Sequence, residues 1–155
     1  MLGFVKWLYL MALIVWVGEV VCFSLIVAPA LFRALPSEEA GRAVSTIFPL
    51  YYRVGSVCGL ILLLTNGMLF AAATGRLWWS VNAVLIAIML GATLYAGLIV
   101  QPRATALRPQ LHAENAPADV KPEFDRLHRL AVQLNGAVLL CGVAMSVVTA
   151  TALRP

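Results

Sequence analysis

The sequence predicts an all-α membrane protein, a bundle of four transmembrane helices with two cytoplasmic connections that contain short helices. Of its 155 residues, 62% are hydrophobic and 12% are charged, whereas soluble domains carry about 25% charged residues. The charged residues also leave four long apolar stretches, each exceeding the roughly 20 residues that cross a bilayer as a helix. We predict spans at residues 7–30, 50–73, 78–101 and 124–151 within one integral membrane domain, residues 1–155.

The first span contains Glu19, the only carboxylate within the four long apolar stretches. We expect this span to be retained rather than cleaved as a signal peptide, because it exceeds the usual apolar length of about 7 to 15 residues. An ionised side chain near the bilayer midplane is costly, so Glu19 should face the bundle interior, be protonated or have a partner. Two interpretations stay open: a proton-coupling or cation site, and a protonated carboxyl that hydrogen-bonds between helices.

The two long connections carry helix signals of their own. Ser37 can cap a helix whose first turn contains two carboxylates, and we expect this short helix to lead into the second span. The second connection reads as a short polar helix that begins near Arg103 and ends before Pro117. Pro122 can then start the fourth helix.

The basic residues orient the bundle. Eight of them share the side of the two long connections: Arg33, Arg42, Arg53, Arg103, Arg108, Lys121, Arg126 and Arg129. Three lie on the other side: Lys6, Arg76 and Arg154. Because cytoplasmic segments carry the excess of Lys and Arg, we predict a multi-pass protein of the inner cell membrane with both connections in the cytoplasm and both termini outside it.

Amide side chains accompany Glu19 inside the predicted spans, among them Asn135 and Asn66. Asn135 lies on a polar and small face of the fourth span, and Asn66 of the second span would lie at comparable depth if the two helices are antiparallel neighbours. Glu19, Asn66 and Asn135 are therefore the candidate internal proton or ion site. The alternative is that the amides only hydrogen-bond helices to one another.

A second candidate site lies where spans meet the cytoplasm. Arg33, Arg53, Arg103 and His128 all fall at cytoplasmic span ends and could converge on an electropositive mouth. Such a mouth suits an anion, a lipid headgroup or a proton path inward. Ordinary positive-inside anchoring is the alternative, and His128 itself is read either as a ligand or as a capping or headgroup-binding residue.

Enzymes and cofactor proteins find little support in the sequence. No motif for nucleotides, phosphate loops, Ser-His-Asp catalysis or zinc is present, so we predict no catalytic residue and no metal site.

Cys22, Cys58 and Cys141 fall on three different spans and are read as core residues, with a soft-metal path as the alternative. No cofactor is predicted, and a haem would have His128 as a single ligand, since the only other histidine lies in a connection. The basic residues line membrane edges, which favours anionic lipid over nucleic acid.

Four short motifs, in order along nearly the whole chain, carry a family resemblance. They are residues 31–36 (LFRALP), 47–52 (IFPLYY), 101–106 (QPRATA) and 124–128 (FDRLH) followed by Asn135. Together they resemble the transmembrane protein 205-like family, a four-helix membrane group that includes bacterial domains of unknown function. The matching positions are Arg33, Pro36, Pro49, Pro102, Arg103, His128 and Asn135.

This resemblance implies a small polytopic protein without an established activity, in a family whose eukaryotic member is associated with tolerance of platinum drugs. The first span also looks distantly like copper-resistance D-type and HemJ-type membrane proteins. In those relatives an early histidine is the expected haem or metal ligand, whereas Tyr9 occupies that place here. This departure weakens a haem or copper interpretation.

Three hypotheses follow for function. The first is a transport-associated protein or one that confers tolerance of a small solute or ion; because four helices leave little room for a pathway, it would act as a homo-oligomer. The second is a haem- or metal-binding redox membrane protein. The third is a non-catalytic subunit of a membrane assembly, in contact with the lipid bilayer and a protein partner.

Overall fold

A computed structural model of the chain describes residues 1–73, 76–111 and 117–152, and every regular element among them is helical. Helix α1 spans Leu2–Ala34, α2 spans Ser37–Ala72, α3 spans Leu77–Leu111 and α4 spans Val120–Ala152. All four are long and apolar enough to cross a membrane. The all-α four-helix bundle predicted from the sequence is thus confirmed, and the helices support a membrane protein.

Helices that follow one another in the chain pack side by side, and α1 also touches α4 less extensively. At one end of the bundle, α1 ends, α2 begins, α3 ends and α4 begins. We call this the basic end, because it carries seven of the eight described arginines: Arg33, Arg42, Arg53, Arg103, Arg108, Arg126 and Arg129. The opposite end carries the first residues of α1 and the last residues of α4.

Near the basic end, α1 and α3 each contain one π-helical turn, Phe23–Val27 and Ala96–Val100. In each turn a backbone N–H binds a carbonyl five residues earlier, from Ala28 to Phe23 and from Gln101 to Ala96. The same pattern, Leu-Ile-Val-X-Pro, ends both turns at residues 25–29 and 98–102. A proline lacks the N–H and crowds the preceding carbonyls, so a wider turn before it relieves both problems.

The short helices expected in the connections are continuous with the spans. Helix α2 starts at Ser37, which is its first helical residue rather than its cap, and runs unbroken through Pro49. The aromatic rings of Phe48 and Tyr51 both pack on Phe23 of α1, at 5.3 Å and 5.1 Å between centroids. This packing on either side of Pro49 offsets the one hydrogen bond that the proline removes.

The second connection behaves in the same way. Helix α3 continues past the predicted span end at residue 101 to Leu111, through Pro102 and Pro109. Helix α4 begins at Val120, slightly before Pro122. The expected helix break at residues 115–117 falls largely on residues 115 and 116, which lie outside the described residues.

A buried polar cluster ties three helices together toward the opposite end. The Thr149 hydroxyl of α4 is 3.2 Å from the hydroxyl of Tyr9 in α1 and accepts a hydrogen bond of 3.1 Å from the Asn82 amide of α3. All three residues are buried. Interhelical hydrogen bonds of this kind stabilise helix packing in membranes.

We expect Thr149→Val to lower the free energy of unfolding by about 1 kcal/mol, because it removes both hydrogen bonds while keeping the side-chain shape. The measurement is reversible unfolding of the protein in mixed detergent micelles. Thr151→Val is the matched control, since the Thr151 hydroxyl bonds only a carbonyl of its own helix, that of Val148. Equal losses in the two variants would contradict a role of Thr149 between helices.

Candidate functional site

A cavity of about 300 Å³ lies at the basic end, and all four helices line it. Its apolar wall is formed by large side chains from every helix: Phe23, Phe32, Val44, Phe48, Val100 and Phe124. Its polar groups are Ser24, Gln101, Thr105, Arg108, His128 and Asn135. A mostly apolar pocket with a few converging polar groups is the usual composition of a small-molecule site.

Both π-helical turns border this cavity. In α1, Phe23 and Ala28 both line the cavity although they are five residues apart. In α3, the last residue of the π turn, Val100, and the next residue, Gln101, line it. In an ordinary α-helix, residues five apart lie about 140° apart around the axis, whereas the i to i−5 bond of a π turn brings them to one side. Isolated π turns occur frequently at functional sites, and here two of them face one cavity.

Asn135 forms the deep side of the cavity and connects three helices. Its Oδ1 accepts a hydrogen bond of 2.5 Å from the hydroxyl of Tyr51 in α2, and its Nδ2 donates one of 2.8 Å to the Ser24 hydroxyl in α1. Asn135 follows His128 by two helical turns on α4, which puts it about 10 Å deeper along the axis. The carboxamide is thus held by both of its polar atoms.

Arg108 of α3 supplies a guanidinium to the cavity. Its Cζ lies 5.7 Å from the ring centroid of Phe124 in α4, a distance typical of a cation–π contact. Gly41 of α2 makes room for it, because a Cβ on that glycine would come within 2.9 Å of one guanidinium nitrogen. Arg108 also interacts electrostatically with Glu38 in the first turn of α2, so three helices fix the position of the side chain.

His128 of α4 also contacts the ring of Phe124. Its imidazole is parallel to the Phe124 ring, with 7° between the planes and 6.5 Å between the centroids. The side chain lines the cavity and is exposed. Arg108 and His128 therefore both border the cavity through contacts with Phe124.

The structure assembles only part of the predicted mouth. His128 lines the cavity, whereas Arg33, Arg53 and Arg103 are exposed and do not. The continuity of α3 explains the difference, because Arg103 and Arg108 are five residues apart on an α-helix and so point about 140° apart. Arg108 borders the cavity instead. From the sequence, this residue was expected only to contribute to the orientation of the bundle in the membrane.

The structure also places two residues of the predicted internal site, Asn66 and Asn135, far apart. The Asn66 amide donates to the Trp79 carbonyl at 3.1 Å, and Asn66 is fifteen residues beyond Tyr51 on α2, about 22 Å farther along the helix. The two helices are not antiparallel neighbours, because α2 and α4 both begin at the basic end. Asn66 and Asn135 therefore do not lie at comparable depth, and Tyr51 is the α2 residue that hydrogen-bonds Asn135.

Glu19 lies closer to the cavity than Asn66 does. Its side chain is half-buried, and its Oε2 is buried without a hydrogen-bond partner among the described residues. Glu19 interacts electrostatically with Tyr51 and Cys58 of α2. Tyr51 thus interacts both with the carboxyl group of Glu19 and with Asn135, the deep side of the cavity.

Metal ligands do not cluster in the described part of the chain. Among residues 1–73, 76–111 and 117–152, no three His, Cys, Asp or Glu side chains lie close enough together to hold a metal ion. Cys22 is exposed, Cys58 is buried and Cys141 is half-buried, and all three are free thiols.

The sequence is similar to a domain family and to a relative whose descriptions name no activity. A family model described as "Domain of unknown function (DUF4149)" matches residues 11–113. An uncharacterized protein of Aquifex aeolicus (strain VF5) is 27% identical over 118 residues, which cover 76% of each chain. No solved structure matches the chain. The family match includes Arg108 and both π turns, whereas His128 and Asn135 lie beyond its last residue.

Proposed function

We propose a transport-associated function for this chain, which belongs to the DUF4149 family: its cavity receives a small solute at the basic end of the bundle. The observation that carries the proposal is the cavity of about 300 Å³ lined by all four helices. This volume is at the lower end of the range of small-molecule sites, roughly 300 to 1,000 Å³. The two π turns beside it favour a functional rather than a purely structural cavity.

The orientation of the bundle gives the proposal a direction. The seven described arginines of the basic end favour the cytoplasmic side for that end, so solute would enter from the cytoplasm. The motifs that resemble the transmembrane protein 205-like family support a role in solute tolerance, since a eukaryotic member is associated with tolerance of platinum drugs. Because a bundle of four helices leaves little room for a pathway across the membrane, we propose that transport requires a homo-oligomer or a membrane partner.

Filling the cavity tests the proposal. Ala104 lines the cavity and is half-buried, whereas Ala106 on the same helix is exposed and does not line it. We would express wild type, Ala104→Phe and Ala106→Phe in cells and measure intracellular accumulation of cisplatin, through its platinum content, and of tetraphenylborate. We expect wild type and Ala106→Phe to change the accumulation of one of these probes and Ala104→Phe to leave it at the level of cells without the protein. Wild-type behaviour of Ala104→Phe would refute a role for the cavity.

A further inference from the structure

One face of α3 is polar where it borders the cavity. Gln101, Thr105 and Arg108 follow one another at helical spacing, and all three line the cavity. Residues spaced by four and three positions lie on the same side of an α-helix. The π turn at Ala96–Val100 immediately precedes this face, so the face begins where the helix changes its hydrogen-bond pattern.

Arg108 carries an unused hydrogen-bond donor. Its Nε is buried and has no hydrogen-bond partner among the described residues. A buried donor without an acceptor is costly, and its guanidinium is already positioned by Phe124, Gly41 and the charge of Glu38. An arginine presents its donors in a planar fork that matches the oxygens of a phosphate. The side chain is therefore arranged to receive an oxygen anion without further ordering.

The side chains around Arg108 indicate the chemical character of the rest of the ligand. The Thr105 hydroxyl and the His128 imidazole border the cavity beside Arg108, while Phe23, Phe32 and Phe48 supply an apolar wall. A ligand that uses both surfaces carries an anionic head and an apolar body. Arg108 lies seven residues beyond the predicted span end at residue 101, about 10 Å along the axis, which places it at the level of the lipid headgroups.

We propose that the cavity binds the phosphate group of an amphipathic molecule, with Arg108 as the principal ligand, His128 and Thr105 beside it, and the aromatic wall in contact with the apolar part. This inference rests on the proposed function, because it names the class of solute for the same cavity. A phospholipid of the membrane and a soluble phosphate ester share this chemistry, and the experiment below separates them.

The experiment measures binding to the full-length protein in a maltoside detergent, which contains no phosphate. The probes are lysophosphatidic acid, monoacylglycerol with the same acyl chain, and glycerol 3-phosphate. The proteins are wild type, Arg108→Gln, and Arg103→Gln as the matched control, because Arg103 is exposed on the same helix. Circular dichroism and elution volume establish that each variant is folded, and Arg108→Lys replaces Arg108→Gln if the latter is not.

We expect Arg108→Gln to weaken lysophosphatidic acid binding by at least about tenfold, the effect of losing a hydrogen bond from a charged donor, and Arg103→Gln to leave it unchanged. Binding of monoacylglycerol should be weaker and equal in the two variants. Arg108→Lys keeps the charge but not the planar fork, so its affinity should lie between those of wild type and Arg108→Gln. Equal affinities of Arg108→Gln and Arg103→Gln for lysophosphatidic acid would overturn the assignment.

Two further comparisons give the source of the phosphate and separate the two proposals. Preference for lysophosphatidic acid over glycerol 3-phosphate supports a membrane lipid, and equal affinity supports a soluble ester. If Ala104→Phe abolishes binding of both acylated probes while Arg108→Gln changes neither, the solute cavity stands and the phosphate assignment falls. If Ala104→Phe binds both acylated probes as wild type does, the cavity itself is refuted.

Discussion

Gly55→Val should lower the free energy of unfolding by about 3 kcal/mol, the upper end of the usual cost of overpacking a core. A Cβ on Gly55 would lie 2.7 Å from Nε1 of Trp16 and 3.2 Å from Cγ2 of Thr93. Trp16 belongs to α1 and is 1% exposed, so its rigid indole ring has no free space into which it can move. The substitution therefore pushes α2 away from α1 and α3 together.

Gly67 provides the matched control for this prediction. It lies on the same helix as Gly55, and a Cβ there would meet nothing within 4 Å. Gly67→Val has the same effect on helix propensity but no steric conflict, so we expect it to change stability by less than about 1 kcal/mol. Reversible unfolding in mixed detergent micelles measures both variants. A loss that is equal in the two proteins would show that α1, α2 and α3 do not meet at Gly55 as closely as described.

The fold was predictable from the sequence because its signals are strong and local. Low charge and four long apolar stretches leave few alternatives to a bundle of transmembrane helices. The ends of the helices were less predictable. Pro49, Pro102 and Pro109 are normally helix breakers, yet they lie inside helices here. Packing of Phe48 and Tyr51 on Phe23 offsets the hydrogen bond that Pro49 removes, and a π turn precedes Pro102.

The candidate site was predictable only in part. Asn135 and His128 are predictable as site residues because they are polar groups within or beside an apolar span, and both line the cavity. Arg108 is not predictable as a site residue, because its place in the cavity depends on α3 continuing beyond the predicted span. The sequence does not give the depth of Asn66 relative to Asn135, which the hydrogen bond between Tyr51 and Asn135 establishes.

The sequence contains one further signal for the site, which only the structure makes interpretable. The pattern Leu-Ile-Val-X-Pro occurs at residues 25–29 and 98–102, in the two helices that contain π turns. Each copy places a proline two residues after its π turn. The repeat therefore marks two equivalent distortions that border the cavity from opposite helices.

Asn135→Leu should lower the free energy of unfolding by about 2 kcal/mol, since it removes two interhelical hydrogen bonds. The hydroxyls of Tyr51 and Ser24 lose their common partner, and Tyr51 is buried, so water does not replace the lost bond easily. Gln133→Leu is the matched control, because Gln133 lies two residues earlier on the same helix and is exposed. We expect that variant to be close to wild type in stability.

A double-mutant cycle separates the hydrogen bond from the packing of the side chains. Once Asn135 is leucine, Tyr51→Phe should cost little, because the hydroxyl that it removes no longer has an acceptor. The two losses should thus be non-additive by about 1 kcal/mol. Fully additive losses would mean that Tyr51 and Asn135 act independently. The hydrogen bond between them would then not fix the polar side of the cavity, nor link it to Glu19, with which Tyr51 interacts electrostatically.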